Sequence, residues 1–506
     1  MPISQNDIDG LMISYAYILG LLFLATWIQK WRRYPAEFTR KVVHVGAGMW
    51  IVGAVAHFDH WYMAIIPACT FIIFNYLSYR YRLIKAMDLA GGTPGTVYFI
   101  VSVTALLLWF WPQGKVYIAV AATMAMTWGD AFAAVLGRAF GKHVYKVGDH
   151  RRSLEGSAAM FTFSFLSILL TLLWMDTGIE GTGALALAFL LATVATFLEA
   201  VSLSGLDNIT VPIGTGLTLW ALATWNVDLP MLLLGLAFSA LIGALAYRRR
   251  SLSGSGVAGA VIVGTLIFGF GGWVWGLTLI AFFVYGSALS KYKEAQKSAV
   301  AEEKFDKGSR RDFGQALANG GFGAVLAVLH FLFPSEPAFF AAFVGTMATV
   351  NADTWATEIG VLSRRPPRLI TTGRLVPPGT SGGITAVGTF ATMMGGLLIG
   401  LTVWILVGIQ DVILSGAVNL AGYLWLLPAA VAGGLGGSLF DSLLGATVQA
   451  MYVNAETGKD TEKKVSRSGA KNRFSRGLPF MDNDMVNFIS SGFGAAVAAL
   501  VASFLM

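Results

Sequence analysis

Val116-Tyr117-Ile118-Ala119-Val120-Ala121-Ala122-Thr123-Met124-Ala125-Met126-Thr127-Trp128-Gly129-Asp130-Ala131-Phe132-Ala133-Ala134-Val135-Leu136-Gly137 reads as a helix long enough to cross a bilayer, with one acid near its end. About 17 to 25 predominantly apolar residues suffice for such a crossing. Working outward, similar runs lie at 11–29, 42–56, 61–77, 93–111, 157–174, 183–201 and 211–225. A second set lies at 229–247, 254–269, 273–290, 316–333, 338–361, 381–407, 416–450 and 486–506. The run at 416–450 exceeds one crossing and holds Pro428, which predicts a kinked helix plus an interfacial piece. The chain is 56% hydrophobic and 12% charged, against about 25% charged in soluble domains. Its mean hydropathy is +0.66. So few charges cannot cover a soluble surface of this size, so lipid is the expected solvent. The expected fold is all-α, a polytopic transmembrane bundle of about sixteen helices.

The charges agree with that count. Basic residues follow the first run (Lys30, Arg32, Arg33, Arg40, Lys41), the third (Arg80, Arg82, Lys85) and the fifth (Arg138, Lys142, Lys146, Arg151, Arg152). They recur at Arg248 to Arg250, Lys291 to Arg311, Arg364 to Arg374 and Lys459 to Arg476. Every cluster follows an odd-numbered run, and the opposite connections are nearly free of Lys and Arg. The positive-inside rule then places the basic connections in the cytoplasm and both termini outside. The start, Met1 to Asp9, lacks the positive region of a signal peptide, so the first run is expected to be a retained helix. The single cysteine, Cys69, excludes a disulfide framework and a Cys-rich zinc site.

The opening stretch has a partner in the second half. Gly129-Asp130-Ala131-Phe132-Ala133-Ala134-Val135-Leu136-Gly137 matches Ala352-Asp353-Thr354-Trp355-Ala356-Thr357-Glu358-Ile359-Gly360. Each copy closes a run and leads into a basic connection. A small-residue helix start follows, Ser153-Leu154-Glu155-Gly156-Ser157 in one half and Gly379-Thr380-Ser381-Gly382-Gly383 in the other. Then come a second acid, Glu199 or Asp441, and an Asp-Asn pair, Asp207-Asn208 or Asp482-Asn483. Corresponding features are eight runs apart. The expectation is two eight-helix units in parallel orientation, 1–225 and 229–506. Small residues also recur wherever membrane helices pack, which competes with the repeat as an explanation for one motif taken alone.

These residues suggest chemistry on phosphates. Ionisable groups are costly inside a membrane, yet each half gathers several on one face. Asp130, Glu155, Glu199 and Asp207 in the first half, and Asp353, Glu358, Asp441 and Asp482 in the second, are hard oxygen ligands of the kind that hold Mg²⁺ with substrate phosphates. Lys142, Arg151 and Arg152, with Arg364, Arg365, Arg368 and Arg374 in the second half, offer donors to phosphate oxygens. Glycine- and serine-rich helix starts, 155–157 and 380–383, leave backbone N–H groups for phosphate. Arg40, Lys41 and His44 share one helical face at the start of the second run. Snorkelling to headgroups is the plainer explanation for each basic residue taken singly. The polybasic stretch Lys463, Lys464, Arg467, Lys471, Arg473 and Arg476 fits attraction to anionic lipid, or a lid over a phosphate site. Acids, bases and a glycine-rich helix start together point to phosphoryl or nucleotidyl transfer with a lipid acceptor.

The first half, from about 36 to 225, resembles the polyprenol kinase family of phytol kinase, dolichol kinase and the CTP-dependent diacylglycerol kinases. The matching residues are Arg40-Lys41-x-x-His44, Gly95-Thr96-Val97-Tyr98-Phe99, Gly129 to Gly137, Lys142, Ser153 to Ser157, and Asp207-Asn208-Ile209-Thr210-Val211-Pro212. The resemblance implies CTP or another nucleoside triphosphate as donor and a long-chain alcohol as acceptor. It also implies that Asp130, Glu155 and Asp207 hold Mg²⁺ and phosphates. The second half, about 229 to 506, is similar to a membrane family of unknown function that includes plant phytyl-phosphate kinases. Its marks are Arg311-Asp312-x-Gly314-Gln315-x-Leu317-Ala318-Asn319-Gly320-Gly321, Asn351 to Gly360, Gly379 to Thr385, Asp441 to Gly445, and Asp482-Asn483-Asp484-x-Val486-Asn487. That resemblance implies a kinase acting on a prenyl monophosphate.

Together the resemblances imply a fused two-step salvage enzyme that turns a prenyl alcohol such as phytol into its diphosphate. Expected catalytic acids are Asp130, Asp207, Asp353, Asp441 and Asp482. Expected nucleotide and phosphate contacts are Arg40, Lys41, His44, Lys142, Arg151, Arg152, Ser153, Gly156, Ser157 and Asn208, then Asn319, Arg374, Thr380, Ser381, Gly382, Gly383 and Asn483. The expected partners are Mg²⁺, the nucleotide, membrane lipid and the prenyl substrates, with no nucleic acid; oligomeric state is left open. A CTP:phosphatidate cytidylyltransferase needs similar groups and is one alternative. A transporter is another, since repeats are common there, but transporter sites usually lie near the midplane and not at the cytoplasmic helix ends.

Overall fold

The computed structural model describes residues 3–32, 36–81, 94–147, 150–202, 205–293, 310–417, 419–466 and 468–506. Arg33, Arg82, Lys85, Arg467 and residues 294–309 of the Lys291 to Arg311 connection lie outside the described residues. Among those described, sixteen α-helices dominate. They are α1 (Gln5–Arg32), α2 (Ala36–His57), α3 (Trp61–Tyr81), α4 (Gly95–Phe110), α5 (Val116–Phe140), α6 (Leu154–Trp174), α7 (Gly181–Val201) and α8 (Asp207–Thr224). Then follow α9 (Leu229–Arg248), α10 (Gly254–Gly271), α11 (Trp273–Lys291), α12 (Phe313–Leu332), α13 (Pro337–Gly360), α14 (Ala386–Ser415), α15 (Leu426–Thr447) and α16 (Asn483–Leu505). Thirteen of these are long and apolar enough to cross a membrane. The other three are α2, α8 and α13. They carry Arg40, Lys41 and His44, Asp207 and Asn208, and Asn351, Asp353 and Glu358, and those polar groups lower their hydropathy.

The chain divides into two compact units, 1–229 and 230–506. In the first, α5 is the central helix, packed against α2, α4, α6 and α8. Its residues from Ile118 to Ala122 and from Met124 to Met126 lie in the core. In the second, α13 is central, against α11, α12, α14, α15 and α16, with Phe343, Val344, Met347 and Ala348 buried. A helix shielded from lipid by its neighbours can carry polar residues that an outer helix cannot. That is why each motif aspartate sits on the central helix of its unit.

Small residues set how close these helices come. A Cβ on Gly137 would lie 3.2 Å from the Gly156 Cα, and one on Gly156 would lie 3.2 Å from the Ala133 carbonyl. The second unit repeats this contact: a Cβ on Gly388 would lie 3.5 Å from the Gly360 Cα and 3.3 Å from the Ala356 carbonyl. At the middle of α13, a Cβ on Gly494 would fall 1.9 Å from Thr349 Oγ1 and 2.7 Å from the Gly433 carbonyl. Gly494→Ala must therefore push α16 away from α13 and α15. The expected cost is about 1–3 kcal/mol, as for other overpacked sites, read as a lower unfolding midpoint in detergent.

Helix starts follow local capping chemistry. Ser153 Oγ accepts from the Gly156 N–H at 3.1 Å to begin α6, and Thr385 Oγ1 accepts from the Gly388 N–H at 2.9 Å to begin α14. This corrects one expectation. The counterpart of the 153–157 helix start is 385–389, not Gly379 to Gly383. Gly379 and Gly382 have φ of +76° and +81°, values that end a helix or make a turn. Gly383 is in a short strand instead. Short sheets fill these connections: β1 (Val144–Val147) with β2 (His150–Ser153), β3 (Arg368–Leu369) with β4 (Gly383–Ile384), and β5 (Met451–Val453) between β6 (Asp460–Thr461) and β7 (Arg473–Arg476).

The motif acids are also less terminal than the runs suggested. Asp130 lies ten residues before the end of α5, Asp353 seven before the end of α13, and Asp441 six before the end of α15. At 1.5 Å per residue these are depths of roughly 10–15 Å. Glu199 and Glu358, each two residues from its helix end, do close their helices. The long run at 416–450 is a 3₁₀ turn, Ala421–Tyr423, followed by α15. Pro428 falls in the first turn of α15, where its missing N–H breaks no helical bond, so it does not kink the helix.

Candidate functional site

In the first unit, a cavity of about 270 Å³ opens among the connections that follow odd-numbered helices. Arg40, Lys41 and His44 of α2 line it, with Asn75 of α3, Thr96 and Phe99 of α4, and Asp130 of α5. Arg151 and Arg152 enter from β2, and Asp207 and Asn208 from the start of α8. Residues from five helices and a hairpin thus converge. Lys41 Nζ forms an ion pair with Asp130 Oδ2, and also donates to the Asp130 carbonyl at 3.3 Å. His44 Nε2 lies 3.6 Å from the same carboxylate oxygen, and its ring packs on Phe99 with centroids 4.6 Å apart. Asp207 Oδ1 accepts from the Asn208 backbone and side-chain N–H groups, both at 3.0 Å. The Arg40 Nε is buried without a hydrogen-bond partner.

Several expected residues fall outside this lining. Glu155 is bound by His143 Nδ1 at 2.7 Å, so its carboxylate serves the hairpin and does not face the cavity. Ser153 and Gly156 form the α6 cap with each other, and Ser157 Oγ meets Tyr145 OH at 2.7 Å. Lys142 is exposed. Glu199 is buried and holds Arg152 Nη1 at 2.7 Å. It therefore touches the cavity only through that arginine.

The second unit has a larger cavity, about 830 Å³. Asp353, Thr357 and Glu358 line it from α13, Ser438 and Asp441 from α15, and Asp482 and Asn483 from the start of α16. Arg311, Gln315 and Asn319 come from the start of α12, Thr380 to Gly383 from the turn before α14, and Glu462, Lys463 and Lys464 from the connection after α15. Ser438 Oγ donates to Asp353 Oδ1 at 3.4 Å. Asp441 Oδ2 is buried with no hydrogen-bond partner. Ser290 Oγ donates to Glu358 Oε1 at 2.6 Å. Glu462 Oε1 accepts from Ser381 Oγ at 3.0 Å and Gln449 Nε2 at 2.9 Å, tying the two connections together. Asp482 is exposed and spends one oxygen capping α16 at the Met485 N–H. Arg374 is exposed and outside the lining. Among the described residues, no three Asp, Glu, His or Cys side chains gather as a ready-made metal cluster.

A family model, integral membrane protein DUF92, matches residues 237–495. The chain belongs to the DUF92 family. The matched segment contains the whole lining of the larger cavity. Among curated proteins, Protein PGR of Arabidopsis thaliana is 35% identical over 278 residues, 51% of this chain and 92% of that protein. Phytol kinase of Synechocystis sp. is 31% identical over 236 residues, 44% of this chain and 97% of that protein. Protein VTE6, chloroplastic, of Arabidopsis thaliana is 29% identical over 259 residues, 50% of this chain and 66% of that protein. No solved structure matches.

In the DUF92 segment, sequence reasoning quoted Arg311 and Gln315 only as motif letters and passed over Glu462 and Gln449. Arg311 carries a signal in hindsight: it is a cation beside an aspartate-capped, glycine-rich helix start. Asp312 and Gln315 form a reciprocal capping box at α12, at 2.9 and 3.1 Å. Burial lowers the Arg311 guanidinium to about 10, against the opposing pull of Glu358. It therefore stays cationic at neutral pH. Glu462 and Gln449 carry no such signal, because a connection folding back over the cavity brings them in.

Proposed function

We propose that the chain is a membrane kinase of prenyl lipids with one site in each unit. The unit 1–229 phosphorylates a prenyl alcohol such as phytol, and the unit 230–506 phosphorylates the monophosphate to a diphosphate. The observation carrying this reading is the grouping, in each cavity, of a central-helix aspartate with a second carboxylate and with cationic and amide groups from neighbouring helices and connections. The relatives named phytol kinase support it. Each cavity lies among connections that follow odd-numbered helices, which the positive-inside rule makes cytoplasmic, where nucleotide is present.

The donor is CTP or another nucleoside triphosphate. Phosphoryl transfer needs positioning and charge compensation more than covalent help from the protein. In the first cavity, Arg40, Arg151 and Asn208 are placed to bind phosphates. The Asp207 carboxylate is placed to take the alcohol proton as the alcohol oxygen bonds to the γ-phosphorus and the nucleoside diphosphate leaves. In the second cavity, the acceptor oxygen belongs to an ionised phosphate, and no proton need be removed. Mg²⁺ fits the residues present. It is typically held by one or two carboxylates plus substrate phosphates, and Asp441 Oδ2 is a buried oxygen with no partner. Asp353 and Asp441 would hold the ion in the second unit, and Asp130 in the first, which leaves Asp207 to act as the base. Bound there, the ion would neutralise charge building on the phosphate oxygens.

Purified protein given radiolabelled phytol or farnesol with CTP, UTP or ATP should yield the monophosphate and then the diphosphate, resolved by chromatography, with release of the nucleoside diphosphate. Removing Mg²⁺ with a chelator should stop both steps. A CDP-lipid product with pyrophosphate release would replace the kinase reading with a cytidylyltransferase one. Substrate-driven ion flux in liposomes without phosphorylated product would replace it with transport.

A further inference from the structure

We propose that Arg311 is the receptor for the acceptor's phosphate group in the second cavity, and that it makes this unit select a prenyl monophosphate over the free alcohol. The proposal rests on the two-step reading above.

Arg311 is fixed by its backbone. Its N–H donates to the Ser251 carbonyl at 3.0 Å, and its carbonyl accepts from the Ser253 N–H at 2.9 Å. Its side chain turns inward over α11, with the guanidinium 5.2 Å from the Phe282 ring centroid and 5.4 Å from that of Phe283. Gly286 makes room for it, since a Cβ there would fall 2.8 Å from Arg311 Nη2. Among the described residues the side chain has no hydrogen bond or close ion pair, only the longer-range attraction of Glu358, and it lines the cavity. A cation held over two rings with its planar donors uncommitted is a prepared site for a phosphate, which such a fork matches well.

Depth identifies which phosphate. Gly286 is five residues before the end of α11, which places the guanidinium roughly 8 Å down that helix. A phosphate on a lipid tail can sit there. Lys463 and Lys464, on the connection after α15, line the same cavity and are the cations left for the water-soluble donor. The first cavity differs in the expected way. There Lys41 is paired with Asp130 and Arg152 with Glu199, leaving cationic capacity for one set of phosphates and an uncharged acceptor.

The test compares wild type with Arg311→Lys, which keeps the charge but loses the planar fork, and Gly286→Ala, which displaces the guanidinium without removing it. Both variants should raise the KM for farnesyl monophosphate by about 30-fold, the loss of one charge-assisted contact. The KM for the nucleotide and the first step should stay within about two-fold. A change in nucleotide KM instead, or no change in either, overturns the assignment. A second arm needs no catalysis: binding of farnesyl monophosphate and of farnesol to full-length protein in detergent. Wild type should prefer the monophosphate and Arg311→Lys should lose most of that preference. If diphosphate never forms but this preference holds and falls in the variant, the kinase reading fails and the phosphate receptor stands. If wild type shows no preference, the receptor fails whatever the kinetics.

Discussion

Asp130→Asn should reduce phosphorylation of the prenyl alcohol by about a thousand-fold, the scale of losing a charged group from a catalytic site, while a supplied monophosphate is still converted. Asparagine keeps the shape of the side chain but removes the charge that holds Lys41 and lies 3.6 Å from His44. The lysine is left in a mostly enclosed cavity beside a neutral amide. Breaking a buried ion pair by removing one partner costs about 3–5 kcal/mol when the pair is fully buried. This one retains some exposure, 13% and 16% for the two side chains, so the fold should survive with a modestly lower unfolding midpoint. The proposed second site lies in the other compact unit, so its retained rate would show that 230–506 has formed, and the unfolding midpoint reports on the first unit. Full alcohol kinase activity in purified Asp130→Asn would remove the first site from consideration.

Asp353→Asn should have the opposite product pattern. Supplied with phytol, the variant should accumulate phytyl monophosphate, with the second step slowed by about a thousand-fold. Asp353 occupies the central helix of its unit, and its Oδ1 accepts from Ser438 Oγ at 3.4 Å. Asp441, on the same helix as Ser438, supplies a buried oxygen that has no protein partner. If the two acids grip one cation, Asp441→Asn should match Asp353→Asn, and the double variant should be little worse than either, as for residues that act as a unit. Additive losses would mean separate roles. Diphosphate production at the wild-type rate by Asp353→Asn would exclude the site.

Much of each cavity's lining was legible where chemistry and periodicity coincide. Asp130, Asp207, Arg40, Lys41 and His44 meet at one cavity, and Asp353, Asp441, Asp482, Asn319 and Asn483 at the other. Glu155 was misjudged because a carboxylate in a motif shows nothing of its neighbour, and His143 folds back across a hairpin to bind it. Arg374 was misjudged because basic residues in a connection look alike until the turn places some inward and others outward. The error over 379–383 has the same origin. Both 380–383 and 385–389 are rich in small residues, and only the Thr385 cap shows which begins the helix.

Composition, hydropathy and charge alternation determined that the chain is a many-helix membrane protein, and the repeated aspartate motif pointed to two residues that each line a cavity. Those properties depend on one helix meeting lipid and water, and each can be read along a single segment. Only the tertiary structure decided that α5 and α13 are central, that Lys41 is tied to Asp130, and that Asp441 and Arg311 line one cavity. Such pairings depend on side chains from helices far apart in the chain arriving within a few ångströms, which no local pattern of residues encodes.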